Sequence, residues 1–327
     1  MSEPQLATVG SYGEAPRGFR LPAGTALGGV RLQVADLDRS LRFYEHTLGV
    51  RTISRGTAHA VLAAQGSDTP LIELHAREGA RPMAPRGRLG LFHFAILLPD
   101  RASLGRFVGH LSAIGVRAGA GDHLVSEAFY LSDPDGLGIE VYADRPRESW
   151  RRNGRELMMA IDPVDIGGLI EAAGDEPWNG MPAGTVIGHV HLHVGDLARA
   201  AEFFSEALGF DRTVWTYPGA LFFGADGYHH HLGANLWAGS GALPPEAHDA
   251  RLLEWTIDLP DAESVAAAAK SLADAGFPVE RVAGATEFDE FVTHDPWETS
   301  IRVRSLRAPQ PHSAAAPTTW PSSSPSP

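Results

Sequence analysis

Apolar and polar side chains alternate in four short stretches, 30–34 (VRLQV), 92–96 (FHFAI), 190–194 (VHLHV) and 254–258 (EWTID). A period of two puts alternate side chains on opposite faces of an extended chain, so each stretch is predicted to be a strand. Each runs within a few residues into Asp-Leu or Leu-Pro-Asp, where the Asp can accept a hydrogen bond from the free N–H groups that open a helix. An amphipathic helix follows. In two copies it ends at glycine, after Phe43 and Leu48 at Gly49 and after Phe203 and Leu208 at Gly209, because glycine adopts the left-handed conformation that stops a helix. Short strands broken by Gly, Pro and Asp come next, as in 60–76 and 128–143. The predicted unit is βαβββ, repeated at about 27–78, 90–145, 187–239 and 252–304.

The repetition extends to identity. Residues 28–49 and 188–209 match at 10 of 22 positions without gaps, and 92–116 has its counterpart at 253–277. The chain is therefore read as a duplicated pair of units: 25–145 as a first domain, 187–306 as a second, and 146–186 as a connection with one helix near Asp165–Ala173. Residues 1–24 show no apolar period, and 307–327 are almost all Pro, Ser and Ala, so both are expected to be disordered tails.

Composition narrows the chemistry. The 327 residues are 43% hydrophobic and 20% charged, the balance of a globular protein. No stretch approaches the roughly 18 consecutive apolar residues of a membrane span. The first residues lack the basic start and apolar core of a signal peptide, so the expected location is the cytoplasm. A net charge of -13 repels phosphate backbones and anionic lipid, which argues against nucleic-acid and membrane partners. With no cysteine, thiolate metal sites and cysteine nucleophiles are excluded. Any metal must sit on His, Asp or Glu.

Four βαβββ units carrying the strings GLFHFAILLPD, SEAFYLSDPDGLGIEVYADRP, IGHVHLHVGDL and GYHHHLGANLWAG resemble the vicinal oxygen chelate superfamily, which includes glyoxalase I, bleomycin-resistance proteins and extradiol dioxygenases. Within it they look most like the two-domain bacterial catechol 2,3-dioxygenases. The resemblance covers about residues 25–304. It implies an α+β fold in which the four units form two pseudo-symmetric domains with cupped mixed β-sheets. It also implies an extradiol dioxygenase of aromatic catabolism that binds a catechol and O2 at an Fe(II) site and cleaves beside the diol to a muconic semialdehyde. Mn(II) suits the same ligands, and a homo-oligomer is compatible with the sequence.

Such an enzyme needs two His and one carboxylate on one side of a metal, with open positions for the diol and O2. The superfamily draws its ligands from the first and last strands of its units. The first-strand positions here are Gly29, His93, His189 and Glu254, and the last-strand positions of units two and four are Glu140 and Arg302. Neither contiguous half holds a full set. The expected arrangement sets unit two against unit three, so that His93, Glu140 and His189 form a complete triad and Gly29, Glu254 and Arg302 are left in a defunct mirror site.

Around the triad the resemblance implies three further residues. Tyr130 lies ten residues before Glu140, His123 shortly before that Tyr, and one of His229, His230 and His231 faces the pocket. Counting along the strand with Ala234 in the place of Glu73 favours His230, which would move protons at the oxygen intermediate. His46, His59 and His75 have no assigned place. Two alternatives stay open: a glyoxalase-like isomerase or lyase with Glu73 as an extra ligand, and a metal-free protein that sequesters an aromatic compound.

Overall fold

The computed structural model describes residues 4–84, 86–282 and 289–306. β1 (Gln5–Leu6) precedes the first unit. That unit is β2 (Ala26–Val34), α1 (Leu37–Phe43), β3 (Arg51–Arg55), β4 (His59–Ala63) and β5 (Pro70–Ala76). The second is β6 (Gly90–Leu97), α2 (Arg101–Ala113), β7 (Gly119–Asp122), β8 (Ser126–Ser132) and β9 (Gly138–Asp144). The connection carries β10 (Arg151–Asn153), β11 (Glu156–Leu157) and α3 (Ile166–Ala173). The third unit is β12 (Val186–His193), α4 (Leu197–Ala200), β13 (Asp211–Val214), β14 (Ala220–Gly224) and β15 (Leu232–Asn235). The fourth is β16 (Arg251–Leu259), α5 (Ala262–Asp274), β17 (Glu280–Arg281), β18 (Glu290–His294) and β19 (Ser300–Ser305).

The helix starts follow the local chemistry. Asp36, Asp100, Asp196 and Asp261 accept the backbone N–H of Arg39, Ser103, Arg199 and Ser264 at 2.7–2.9 Å. α1 and α4 each run on into a wider π-helical turn, at Tyr44–Leu48 and Ala201–Ala207. These stop at Gly49 and Gly209, whose φ angles of 79° and 100° only glycine adopts readily.

Two eight-stranded curled mixed sheets result. One has the order β13-β14-β15-β12-β6-β9-β8-β7 and the other β17-β18-β19-β16-β2-β5-β4-β3. The first joins unit three to unit two through the antiparallel pair β12–β6, and the second joins unit four to unit one through β16–β2. The contiguous stretches 25–145 and 187–306 therefore each supply half of both sheets. The main apolar core includes Val30, Phe94, Phe107, Val190, Phe203 and Trp255, drawn from both sheets and their helices.

Residues 4–24 correct the expectation of an N-terminal tail. β1 pairs with β10, Tyr12 Oη donates to the Gly227 carbonyl at 2.6 Å, Arg20 pairs with Asp211, and Leu21 is buried. These anchors are irregularly spaced and bind residues more than a hundred positions away, so no local period announces them. The second expected tail, 307–327, lies outside the described residues. Among the described residues no helix is long and apolar enough to cross a membrane.

Candidate metal centre and substrate pocket

β6 is the hinge of the site. Its Ala95 lies opposite Glu140 of β9 on one side and His189 of β12 on the other. His93 stands two residues earlier on the same strand, and directly paired residues share a sheet face, so all three side chains emerge together. His93 Nε2 and His189 Nε2 lie 3.0 and 3.2 Å from the same oxygen, Oε2 of Glu140. The ligand-type atoms of the three groups fall within 4.8 Å of one another, and all three residues are buried.

The electrostatics suit coordination. Burial raises the Glu140 carboxyl, and the two imidazoles facing it, His189 and then His93, outweigh that effect and hold the group well below the usual carboxylate range. Burial, opposed by Glu140, brings His189 down to about 4. The site thus presents a carboxylate and a neutral imidazole near pH 7, the forms that bind metal. His93 Nε2 is buried with no hydrogen bond among the described residues, its approach to Glu140 being out of line. A buried nitrogen without a partner is costly. A divalent cation between the three groups would satisfy it, so the donor set fits the ion that the sequence implies.

The triad faces a cavity of about 320 Å³. Tyr130 lies opposite Glu140 on β8, its ring centroid 5.6 Å from that of His93. Burial and the Glu140 charge push its phenol well above 10. His123 contacts Tyr130 Oη through Nε2, while its Nδ1 lies 2.7 Å from the Ala160 carbonyl. A carbonyl only accepts, so His123 carries a proton on Nδ1, and in the neutral ring its Nε2 accepts the tyrosine O–H. His230 also lines the cavity, with its ring centroid 4.2 Å from that of His189. Burial, and then its histidine neighbours, lower its basicity well below 6.5.

His230 reaches the pocket by a different route from the one counted along the strand. β15 begins only at Leu232, and the three histidines occupy the bend before it. Register pairs His191 with Gly233 just as it pairs Arg31 with Glu73, so Gly233, not Ala234, occupies the Glu73 position. His229 is buried and meets Asp144 and His230, and His231 Nδ1 accepts the Ala225 N–H at 3.2 Å. Gly233 also answers the four-ligand alternative. Glu73 itself belongs to the other sheet, where it pairs with Arg31 at 3.2 Å. At Gly233 a Cβ would come within 2.7 Å of the His191 ring, which lies in the space an extra carboxylate would need.

Several pocket residues were not legible in the sequence. His191 is buried among Phe92, Phe222 and Trp237, and its Nε2 has no hydrogen-bond partner among the described residues. Its alternation with His189 was the one signal that placed it on the same face. Met159, Ala160 and Ile161 form a wall of the cavity from the connecting segment, which has no counterpart in the repeat.

The mirror site is filled by charge. Arg302 reaches Glu254 and Glu290, Arg31 reaches Glu254 at 3.4 Å, and a Cβ on Gly29 would sit 3.2 Å from the Pro70 and Leu71 carbonyl oxygens.

This fold and donor set have a family. Residues 26–141 and 186–303 match the Glyoxalase/Bleomycin resistance protein/Dioxygenase superfamily, and the chain belongs to it. It is 45% identical over 259 residues to a catechol-2,3-dioxygenase of Bacillus subtilis (strain 168), an alignment spanning 78% of this chain and 90% of that protein. Its fold is similar to a putative dioxygenase from Bacillus subtilis subsp. subtilis str. 168, with a TM-score of 0.58, 14% identity and coverage of 88% of this chain and 86% of that one. Glyoxalase I from Zea mays is also similar, with a TM-score of 0.51, 17% identity and coverage of 86% and 92%.

Proposed function

We propose that the chain is an extradiol ring-cleaving dioxygenase that binds a catechol and O2 at a divalent metal held by His93, Glu140 and His189, and cleaves beside the diol to a muconic semialdehyde. The observation that carries this reading is the convergence of those three groups on the floor of a cavity with Tyr130 at one side and His230 at another. The 45% identity to a catechol-2,3-dioxygenase supports it. Iron(II) is the preferred ion, with Mn(II) suited to the same ligands. The metal supplies chelation of the two substrate oxygens and the electron-transfer chemistry that O2 requires.

The protein's own groups then have assignable parts. Tyr130 donates its hydroxyl hydrogen bond to His123, so its oxygen is left to accept one catechol O–H and orient the diol. His230, held neutral, can take that class of proton and return it during ring opening. Phe92, Phe222, Trp237, Met159 and Ile161 clasp the ring and keep the reacting oxygens from bulk water. A cytoplasmic location fits the substrate class.

The test is metal analysis of the purified chain followed by an aerobic assay with catechol and Fe(II). The expected result is about one metal per chain and a coloured semialdehyde product. Metal without ring cleavage would favour an isomerase or lyase, and catechol binding without metal would favour a sequestering protein.

A further inference from the structure

His229 lies behind His230, away from the cavity, yet it is fully buried and hydrogen-bonded at both ring nitrogens. Its Nε2 is 2.9 Å from Asp144 Oδ1, and its Nδ1 is 2.7 Å from Nδ1 of His230. Asp144 closes β9 and has a partly exposed side chain, 27% accessible. The same carboxylate oxygen accepts the Tyr228 hydroxyl at 3.3 Å, and Tyr228 in turn meets Tyr142 at 2.7 Å.

With both imidazoles neutral, counting donors and acceptors places the ring protons of this chain. A carboxylate only accepts, so the proton of His229 must be on Nε2. A neutral imidazole has one N–H, so His229 Nδ1 is bare. The 2.7 Å contact with His230 is then a hydrogen bond only if His230 carries its proton on Nδ1. That leaves Nε2 of His230 bare and available to the cavity. We infer that Asp144, acting through His229, sets the tautomer and orientation of His230, presenting an unprotonated Nε2 to the substrate. Both are positioning residues: neither lines the cavity. The catalytic consequence rests on the dioxygenase reading of the site; the tautomer itself does not.

Substitution of Asp144 by Asn reverses the chain. With its NH2 turned to His229, the amide donates to Nε2, His229 moves its proton to Nδ1, and His230 moves its proton to Nε2, where it can no longer accept from substrate. A wrong tautomer of this kind is known to lower turnover by several orders of magnitude in hydrolytic triads. His229→Phe removes the connection. His229→Gln keeps an N–H for Asp144 and a carbonyl for His230, so it is the conservative variant.

The full-length chain, loaded with diamagnetic Zn(II) and labelled with 15N-histidine, is examined by long-range 1H–15N correlation. The expected result is Nδ1–H at His230 in the wild type and in His229→Gln, and Nε2–H in Asp144→Asn. In the Fe(II) form, Asp144→Asn and His229→Phe should lose on the order of 100-fold or more in kcat, with KM for catechol and metal content little changed. His229→Gln should recover most of that loss. An Nε2–H tautomer in the wild type, or a His229→Gln variant as impaired as His229→Phe, would overturn the inference. If the wild-type Fe(II) form cleaves no catechol, the proposed function fails, while the NMR result still decides the tautomer.

Discussion

Arg302 donates to both carboxylate oxygens of Glu254, at 2.7 and 3.1 Å, from the positions that Glu140 and His93 hold in the other sheet. The same register thus serves two purposes. In one sheet the two positions converge with His189 on a cavity; in the other they neutralise one another, with Glu290 and Arg31 completing the network. A guanidinium at the place of a metal ligand excludes a cation by charge and by volume.

His189→Ala should abolish metal binding, whereas Glu254→Ala should keep about one metal per chain. The second variant strips Arg302 of one of its two carboxylate partners, so a stability loss of about 1–3 kcal/mol is expected. Elemental analysis and urea unfolding read the two effects separately. Loss of metal in Glu254→Ala with retention in His189→Ala would invert the assignment of the two sites.

His230→Phe should retain metal and catechol binding and lose about 10²–10⁴-fold in turnover, since the imidazole is assigned to proton transfer and not to coordination. Single-turnover kinetics on the Fe(II) form check this. Unchanged turnover would remove His230 from the reaction.

Tyr130→Phe removes the oxygen that receives the substrate hydroxyl and leaves His123 Nε2 without its donor. One hydrogen bond of about 1–1.5 kcal/mol corresponds to roughly a tenfold rise in the Kd for catechol. Titration calorimetry under nitrogen measures it, and an unaltered Kd would contradict the orienting role.

Asp295 gives a pH-dependent outcome away from the site. Its buried side chain accepts the N–H groups of Trp297 and Thr299, and burial, opposed by those hydrogen bonds, pushes its pKa up to about 6. Above an unfolded value near 4, the folded state binds more proton than the unfolded state, so ionisation of Asp295 costs stability as pH rises from about 4 to 6. Asp295→Asn removes that dependence. Relative to wild type, the variant should gain up to about 3 kcal/mol between pH 4 and 7. Urea unfolding at both pH values tests the sign, and parallel pH dependence in the two proteins would refute it.

The sequence by itself determined the repeat, the strand and helix of each unit, and the Asp residues that open the helices, because side-chain period and capping act over a few residues. It also marked His93, Glu140 and His189, because equivalent positions in repeated units carry different chemistry and can be compared directly. The facing of unit two and unit three was expected only because it completes the triad; the strand pairing that makes it, β6 with β12, depends on contacts about a hundred residues apart and was decided by the tertiary structure. The same holds for the docking of residues 4–24 through Tyr12 and Leu21, and for the pocket wall at Met159–Ile161. His230 shows the limit most clearly. Counting from Ala234 picked His230, which lines the cavity, yet the register places Gly233 there, and a bend before Leu232 turns the imidazole inward. Alternation holds only where a ladder of hydrogen bonds keeps the chain extended, and that ladder is made by other strands.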